Sequence, residues 1–202
     1  SFGGKINKID IGSGAYTEIA YQVDAKLELG PEVLFKYPIK DTTAVMASQI
    51  RDAIPSPNEK QLVFTVLNRI YVMDYPNGTP KRLTTNDFTE AQPIWSPDGK
   101  QIVFSTWNAS GGALYSINAD GSGLKKLTQV DGLYQTPHFT LKGDKIVYVR
   151  APYQKFKDAF DPGYDDGEDM LCWVSSAGGE EHIIDKANGR YIPHFSVNDE
   201  RI

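Results

Sequence analysis

The sequence predicts an all-β chain, a β-propeller of four-stranded antiparallel blades, here an incomplete segment of a longer propeller. Three observations carry that expectation. One phrase recurs four times, its spacing is that of a propeller blade, and no stretch shows sustained helical periodicity. The clearest copy is Ile94-Trp95-Ser96-Pro97-Asp98-Gly99-Lys100-Gln101-Ile102-Val103-Phe104, and Ile54-Pro55-Ser56-Pro57-Asn58-Glu59-Lys60-Gln61-Leu62-Val63-Phe64 says the same earlier. His138-Phe139-Thr140-Leu141-Lys142-Gly143-Asp144-Lys145-Ile146-Val147-Tyr148 is weaker, and His194-Phe195-Ser196-Val197-Asn198-Asp199-Glu200-Arg201-Ile202 stops in mid-phrase. Anchored on Ser56, Ser96, Thr140 and Ser196, the intervals are 40, 44 and 56 residues. A blade takes about 40 to 45 residues, so the third interval is a blade with an insertion of about a dozen.

Each element follows from local chemistry. Residues 4–10 and 15–20 read as the last two strands of a preceding blade, joined by a turn at 11–14, so that 1–20 forms a partial blade. Residues 21–45 are expected to connect as an extended segment, because Tyr21, Val23, Leu27, Leu29, Val33 and Phe35 all fall on odd positions. Blades are then expected over 46–90, 91–134 and 135–190, the last with an insertion at 150–169, and 191–202 opens another. Within a blade, a short apolar strand precedes Ser-Pro-Asp-Gly, where proline presets φ and Asp-Gly accepts positive φ. A β-branched strand follows, such as 101–106, then an alternating strand, 113–117, the turn 118–123, and an outer strand, 124–128. The first blade repeats this with 69–74 and 79–84, the third with 171–174 and 180–184. The start at Ser1-Phe2-Gly3-Gly4 and the broken phrase at Ile202 lead us to expect further blades outside this sequence.

Composition narrows function. The chain has 21 Lys and Arg against 26 Asp and Glu, a net charge of −5, without a basic cluster. A nucleic-acid partner is therefore not expected, because phosphate contacts supply most of that affinity. No apolar run is long enough to span a membrane. The lone cysteine, Cys172, lies in Met170-Leu171-Cys172-Trp173-Val174 and reads as a buried thiol without a second cysteine or an adjacent histidine.

The insertion is the least bland part of the sequence. It sets Tyr153, Phe156, Phe160 and Tyr164 beside Asp161, Asp165, Asp166, Glu168 and Asp169. It reads as a solvated acidic loop, with a partner contact or a Ca²⁺ site on those five carboxylates as the alternatives. The spacing is not that of an EF-hand. His138 and His194 hold one repeat position, each between proline and phenylalanine, and first strands line a propeller's channel. They read as a repeat position that accepts histidine, or as a ligand site facing the channel. His182 is expected on an exposed outer strand. Trp95 and Trp173 read as packing residues, whereas Trp107, followed by Asn108-Ala109-Ser110-Gly111-Gly112, is a candidate for a loop face. Ser110-Gly111-Gly112 and Ala177-Gly178-Gly179 read as turns, lacking the spacing and helix that phosphate binding needs. There is no Gly-x-Ser-x-Gly elbow. No catalytic residue is assigned.

Trp95-Ser96-Pro97-Asp98-Gly99-Lys100, with Ile102-Val103-Phe104, Leu114-Tyr115, Asp120-Gly121 and Leu127-Thr128, resembles the repeat of TolB-type propellers, the WD-like group with a Pro-Asp signature. Phe104-Ser105-Thr106-Trp107, Gly111-Gly112-Ala113-Leu114-Tyr115, Tyr71-Val72-Met73-Asp74-Tyr75-Pro76-Asn77-Gly78 and Pro193-His194-Phe195-Ser196 are similar to propellers fused before a metal-dependent amidohydrolase domain. Asn58-Glu59, Thr140-Leu141-Lys142-Gly143 and Val197-Asn198-Asp199 depart from the repeat. The resemblance implies a noncatalytic propeller module of a secreted or periplasmic amidohydrolase-like protein, supporting or gating the hydrolase domain. Its partners would be the remaining blades and that C-terminal catalytic domain, which would hold a divalent metal; the segment itself needs no cofactor. A TolB-like propeller that binds a protein partner, and the substrate-filtering propeller of a serine peptidase, are the alternatives. The sequence after Ile202 separates them: His-x-His fits the first, two or three further blades and then a stop the second, and Gly-x-Ser-x-Gly the third.

Because no helix of ordinary length is expected, far-UV circular dichroism of the chain should report less than roughly 20% helix. A larger helical fraction would overturn the fold assignment.

Overall fold

The computed structural model describes residues 5–28, 30, 42–44, 46–154 and 167–202. The chain divides into two compact units, Ser1–Ala44 and Val45–Ile202. In the first, β1 (Ile6–Ile9) pairs antiparallel with β2 (Tyr16–Ile19), Ile6 opposite Ile19 and Ile9 opposite Tyr16. The turn between them is held by Asp10, whose Oδ1 accepts from the Ser13 amide and hydroxyl at 2.8 and 2.7 Å. Residues 21–28 are in no strand.

The second unit holds three four-stranded antiparallel sheets, each a meander in chain order. The first contains β3 (Arg51–Pro55), β4 (Gln61–Val66), β5 (Arg69–Asp74) and β6 (Lys81–Arg82). The second contains β7 (Thr89–Trp95), β8 (Gln101–Asn108), β9 (Gly111–Asn118) and β10 (Lys125–Lys126). The third contains β11 (Leu133–Phe139), β12 (Lys145–Ala151), β13 (Met170–Ser175) and β14 (His182–Lys186). The insertion expected at 150–169 begins within β12, which ends at Ala151, and its residues 155–166 lie outside the described residues.

The recurring phrase builds one turn four times. In the second sheet Ser96 Oγ donates to Asp98 Oδ1 at 2.7 Å and accepts from the Gln101 amide at 2.9 Å, while Gly99, at φ +70°, donates its amide to Ser96 O. Ser56 with Asn58, and Ser196 with Asn198, repeat the arrangement, and Thr140 reaches Asp144 instead. The hydroxyl thus caps an amide that the turn would otherwise leave unpaired. Glu59 and Asp199 stand at the glycine position with φ +58° each.

Strand alternation sends successive side chains to opposite sheet faces, and the middle sheet buries both. Ile102, Phe104 and Ile117 pack with Val63, Ile70 and Val72 of the first sheet; Val103 and Leu114 pack with Tyr134, Ile146, Tyr148, Cys172 and Val174 of the third. This is why β8 is buried without alternation from Ile102 to Thr106, its apolar residues Ile102, Val103 and Phe104 standing in one run. Each such large side chain contributes about 1.5–3 kcal/mol on burial.

Polar contacts fix how the sheets meet. Glu90, on β7 and fully buried, accepts the Ile70 amide at 2.9 Å on one carboxyl oxygen and the Thr84 hydroxyl on the other. Trp95 donates its indole N–H to Ile54 O at 3.1 Å. Between the second and third sheets the backbones touch, the Gly112 amide donating to Gly132 O at 2.9 Å. A Cβ on Gly112 would overlap Thr106 O, and one on Gly132 would stand 2.9 Å from Ala151 O. Glycine at 111–112 therefore serves close approach as well as turning.

Two expectations about strands are corrected. The outer strands read at 79–84 and 124–128 shorten to Lys81–Arg82 and Lys125–Lys126. Leu83 and Leu127 still donate to Ile70 O and Leu114 O, but their side chains turn into the core and end the regular ladder. The opening strand expected in 191–202 is not formed, although its Ser196 turn is, because no ladder partner faces residues 191–195 among the described residues.

Two substitutions test these contacts. Glu90→Ala leaves two buried donors unpaired and should cost about 2–4 kcal/mol in urea unfolding, against about 1 kcal/mol for Thr84→Val. Gly112→Ala should cost about 3 kcal/mol, since backbone rather than a flexible side chain must move. Near-neutral effects would show that the seams are not held as described.

Candidate functional site

First strands of the three sheets share a bulge. Register shifts fall between Arg51 and Ile54, Ala91 and Ile94, and Gln135 and His138, and Asp52, Gln92 and Thr136 take left-handed backbone with φ near +50°. Left-handed backbone is costly for such residues, about 1 kcal/mol or more each, and a bulge frees an amide. Two of the freed amides are taken by the blade before: Gln92 N donates to Asp52 Oδ2 at 3.2 Å and Thr136 N to Gln92 Oε1 at 2.8 Å. Thr136 Oγ1 then donates to Tyr191 O at 2.6 Å. The bulges so form a hydrogen-bonded line across consecutive first strands.

His138 and His194 stand two residues beyond this line. His138 Nδ1 lies 3.1 Å from Thr136 O, and His194 Nδ1 lies 3.2 Å from Ile192 O. A carbonyl only accepts, so Nδ1 carries the hydrogen in both, and Nε2 is the basic nitrogen of each neutral ring. The same repeat position holds Ile54 and Ile94, which pack against the two inter-sheet cores. His138 is half-buried and His194 exposed.

A second feature lies where the β8–β9 hairpin meets the third sheet. A cleft of about 220 Å³ runs between the second and third sheets, lined by Gln92, Ser105, Thr106, Trp107, Tyr134 and Gln135 among others. Trp107 forms its wall and packs on Tyr153, ring centres 5.5 Å apart, while the Tyr153 hydroxyl donates to Ala109 O. The insertion thus begins by folding back onto the hairpin of the preceding blade. The Ser105 and Thr106 hydroxyls are spent on Ala91 O and Ala113 O, leaving an aromatic and amide-lined surface without an activated nucleophile.

Burial governs the titration of the groups packed around Glu181. Burial, with the Glu181 carboxylate nearby, pushes the Cys172 thiol up to about 12, so it stays protonated at neutral pH. Burial likewise raises the Tyr134 hydroxyl to about 12, and burial with Glu181 raises Tyr148 further. Glu181 is engaged structurally, accepting Tyr148 Oη at 2.8 Å and Arg150 Nε at 2.9 Å. His182 is exposed on β14 and stacks on Trp173 at 4.0 Å, with Lys145 Nζ 4.7 Å from the same indole. Asp161, Asp165 and Asp166 lie outside the described residues. Glu168 is exposed and Asp169 buried, its carbonyl accepting the Ala187 amide. Among the described residues no three His, Cys, Asp or Glu side chains come together to hold a metal, and no helix is long and apolar enough to cross a membrane.

Sequence reading missed Glu90, the Asp52–Gln92–Thr136 line and the Arg150–Glu181 pair. The line had a signal, since Gln92-Pro93 and Thr136-Pro137 occupy one repeat position. The other two join residues 20 and 31 positions apart and had none.

The model of the TolB beta propeller domain matches residues 49–171. An uncharacterized protein of Agrobacterium fabrum is 27% identical over 182 residues, covering 84% of this chain and 59% of its own. A tricorn protease homolog of Streptomyces coelicolor is 42% identical over 59 residues, 29% of this chain and 5% of its own. The solved structure of a candidate TolB from Agrobacterium tumefaciens superposes with a TM-score of 0.57 at 24% identity, covering 72% of this chain and 51% of that one. The chain therefore spans between half and three-fifths of the longer matches. With three four-stranded meanders stacked face to face and the family match over more than half its length, the chain belongs to the TolB beta propeller domain family.

Proposed function

We propose that this chain is a noncatalytic propeller module of a secreted or periplasmic, metal-dependent amidohydrolase-like protein, and that it supports or gates the hydrolase domain. The observation that carries this reading is the joined surface of Trp107, the 109–112 hairpin tip and Tyr153. It brings the half-buried rings of Trp107 and Tyr153 together beside the exposed 108–110 tip and a cleft. Aromatic side chains with polar neighbours on loops held by a rigid sheet are the usual makings of a domain contact.

The described residues do not fit a catalytic divalent metal, because no three ligating side chains meet and two imidazoles do not make such a site. In this reading the metal and its chemistry belong to the hydrolase domain, and the propeller excludes or admits substrate. Two specific observations favour other readings. Family membership fits a TolB-like propeller that receives a protein partner, and the short stretch like a tricorn protease homolog fits a filter in a serine peptidase.

Hydrogen exchange on the full-length protein tests the proposal. Residues 107–112 and 150–154 should exchange more slowly there than in the isolated chain, and Trp107→Ala should remove the difference. Equal exchange in both would sink it, and protection gained only on adding a separate polypeptide would favour the protein-binding reading.

A further inference from the structure

The four turns touch one another in a fixed order. The second residue of each of the first three turns meets the fourth residue of the turn that follows it. Pro57 Cδ stands 3.6 Å from where a Cβ on Gly99 would be, and Pro97 Cδ stands 3.3 Å from where a Cβ on Gly143 would be. At the third junction both residues change together. Leu141 replaces proline and so has an amide hydrogen, and Asp199 replaces glycine. Its carboxylate accepts that amide at 2.8 Å on Oδ1 and the Lys142 amide at 3.2 Å on Oδ2. Asp199 does this from left-handed backbone, φ +58°, which glycine would adopt without strain.

We propose that these two turn positions form a pairing code between consecutive blades. Proline in one turn goes with glycine in the next, since the ring packs over the glycine, within ordinary contact distance of a Cβ at Gly99 and closer than that at Gly143. A residue with an amide hydrogen goes with an acidic residue, whose carboxylate takes the freed N–H and its neighbour. Mixed pairs lose in either direction: proline before aspartate removes a donor and, with the 3.3 Å spacing of Pro97 and Gly143, crowds the Cβ, and leucine before glycine leaves two amides without their carboxylate acceptor. The code therefore specifies which blade follows which, a choice that apolar faces alone do not make. Glu59 stands at the fourth position of the first turn with the same φ of +58° and the same amide bond back to its serine. Glu59 is equipped to take two turn amides, and no amide among the described residues reaches its carboxylate.

A double-mutant cycle on the chain decides the matter. Asp199→Gly alone should lower the thermal midpoint by about 2–4 °C and speed hydrogen exchange at the Leu141 and Lys142 amides about tenfold or more. Leu141→Pro alone should also lower the midpoint, and Asp199→Asn should fall between wild type and Asp199→Gly. The Leu141→Pro/Asp199→Gly double variant should recover most of the loss, because it restores a Pro/Gly pair. Additive losses in the double variant, or unchanged exchange at those amides in Asp199→Gly, would overturn the code. Glu59→Gly should raise the midpoint, since it relieves left-handed strain and gives up no bond; a lowered midpoint would overturn the assignment of Glu59.

Discussion

Everything in the second unit depends on burying both faces of a blade at once. A four-stranded sheet this small has no interior of its own, so its apolar side chains leave water only against neighbouring sheets. The middle sheet shows the full solution. Ile102 and Phe104 look one way and Val103 the other, and β8 gives up the polar alternation that an isolated hairpin would need for solubility. Stability thus resides in seams rather than in blades, and a change in one seam reaches the sheets on either side.

Apolar burial drives the stacking but does not choose its register, and polar contacts in the seams do that. Glu90 is a costly residue to bury, and its two acceptor bonds are satisfied only when Ile70 and Thr84 of the preceding sheet are in place. The bulges act similarly. Each spends left-handed backbone at Asp52, Gln92 or Thr136 and frees an amide that only the neighbouring blade can take, as the Gln92 and Thr136 amides show. At the Gly112–Gly132 bridge, the missing side chains let backbone reach backbone. A sheet displaced by one residue along its neighbour would strand all of these groups, which is the cost that makes the arrangement unique.

What could be read from the sequence was what is local. Ser96, Asp98 and Gly99 build their turn from six consecutive residues, so the phrase announced both the turn and the blade interval. Cys172 declared its burial through its apolar neighbours. The outer strands were overread because the apolar Leu83 and Leu127 look like continuations of a strand, yet each is drawn inward and ends it. Glu90 gave no sign, since a lone glutamate before Ala91 looks like any exposed strand residue until the fold brings Ile70 beside it. The matching places of His138 and His194 were legible, but the carbonyl contacts that set their tautomers were not, because they come from the bulge. Trp107 was marked for a loop face by the glycines after it. Its packing on Tyr153 needed the third sheet to be in position.

These constraints leave the hairpin tips as the part of each blade free to vary. The β4–β5 connection is two residues, Leu67 and Asn68, both in left-handed backbone, and the β8–β9 connection is Ala109 and Ser110. The β12–β13 connection carries the whole insertion on a sheet whose strands remain paired in regular register from Lys145 to Arg150. A blade can therefore change its tip without disturbing a seam, provided that the tip starts and ends at the same rung. The insertion meets that condition and then crosses to the neighbouring blade through Tyr153 and Ala109. Rigid seams and a variable tip that reaches sideways place new side chains at a fixed location without asking the core to move. That is how a repeat fold can carry a new segment at one blade without repacking its seams.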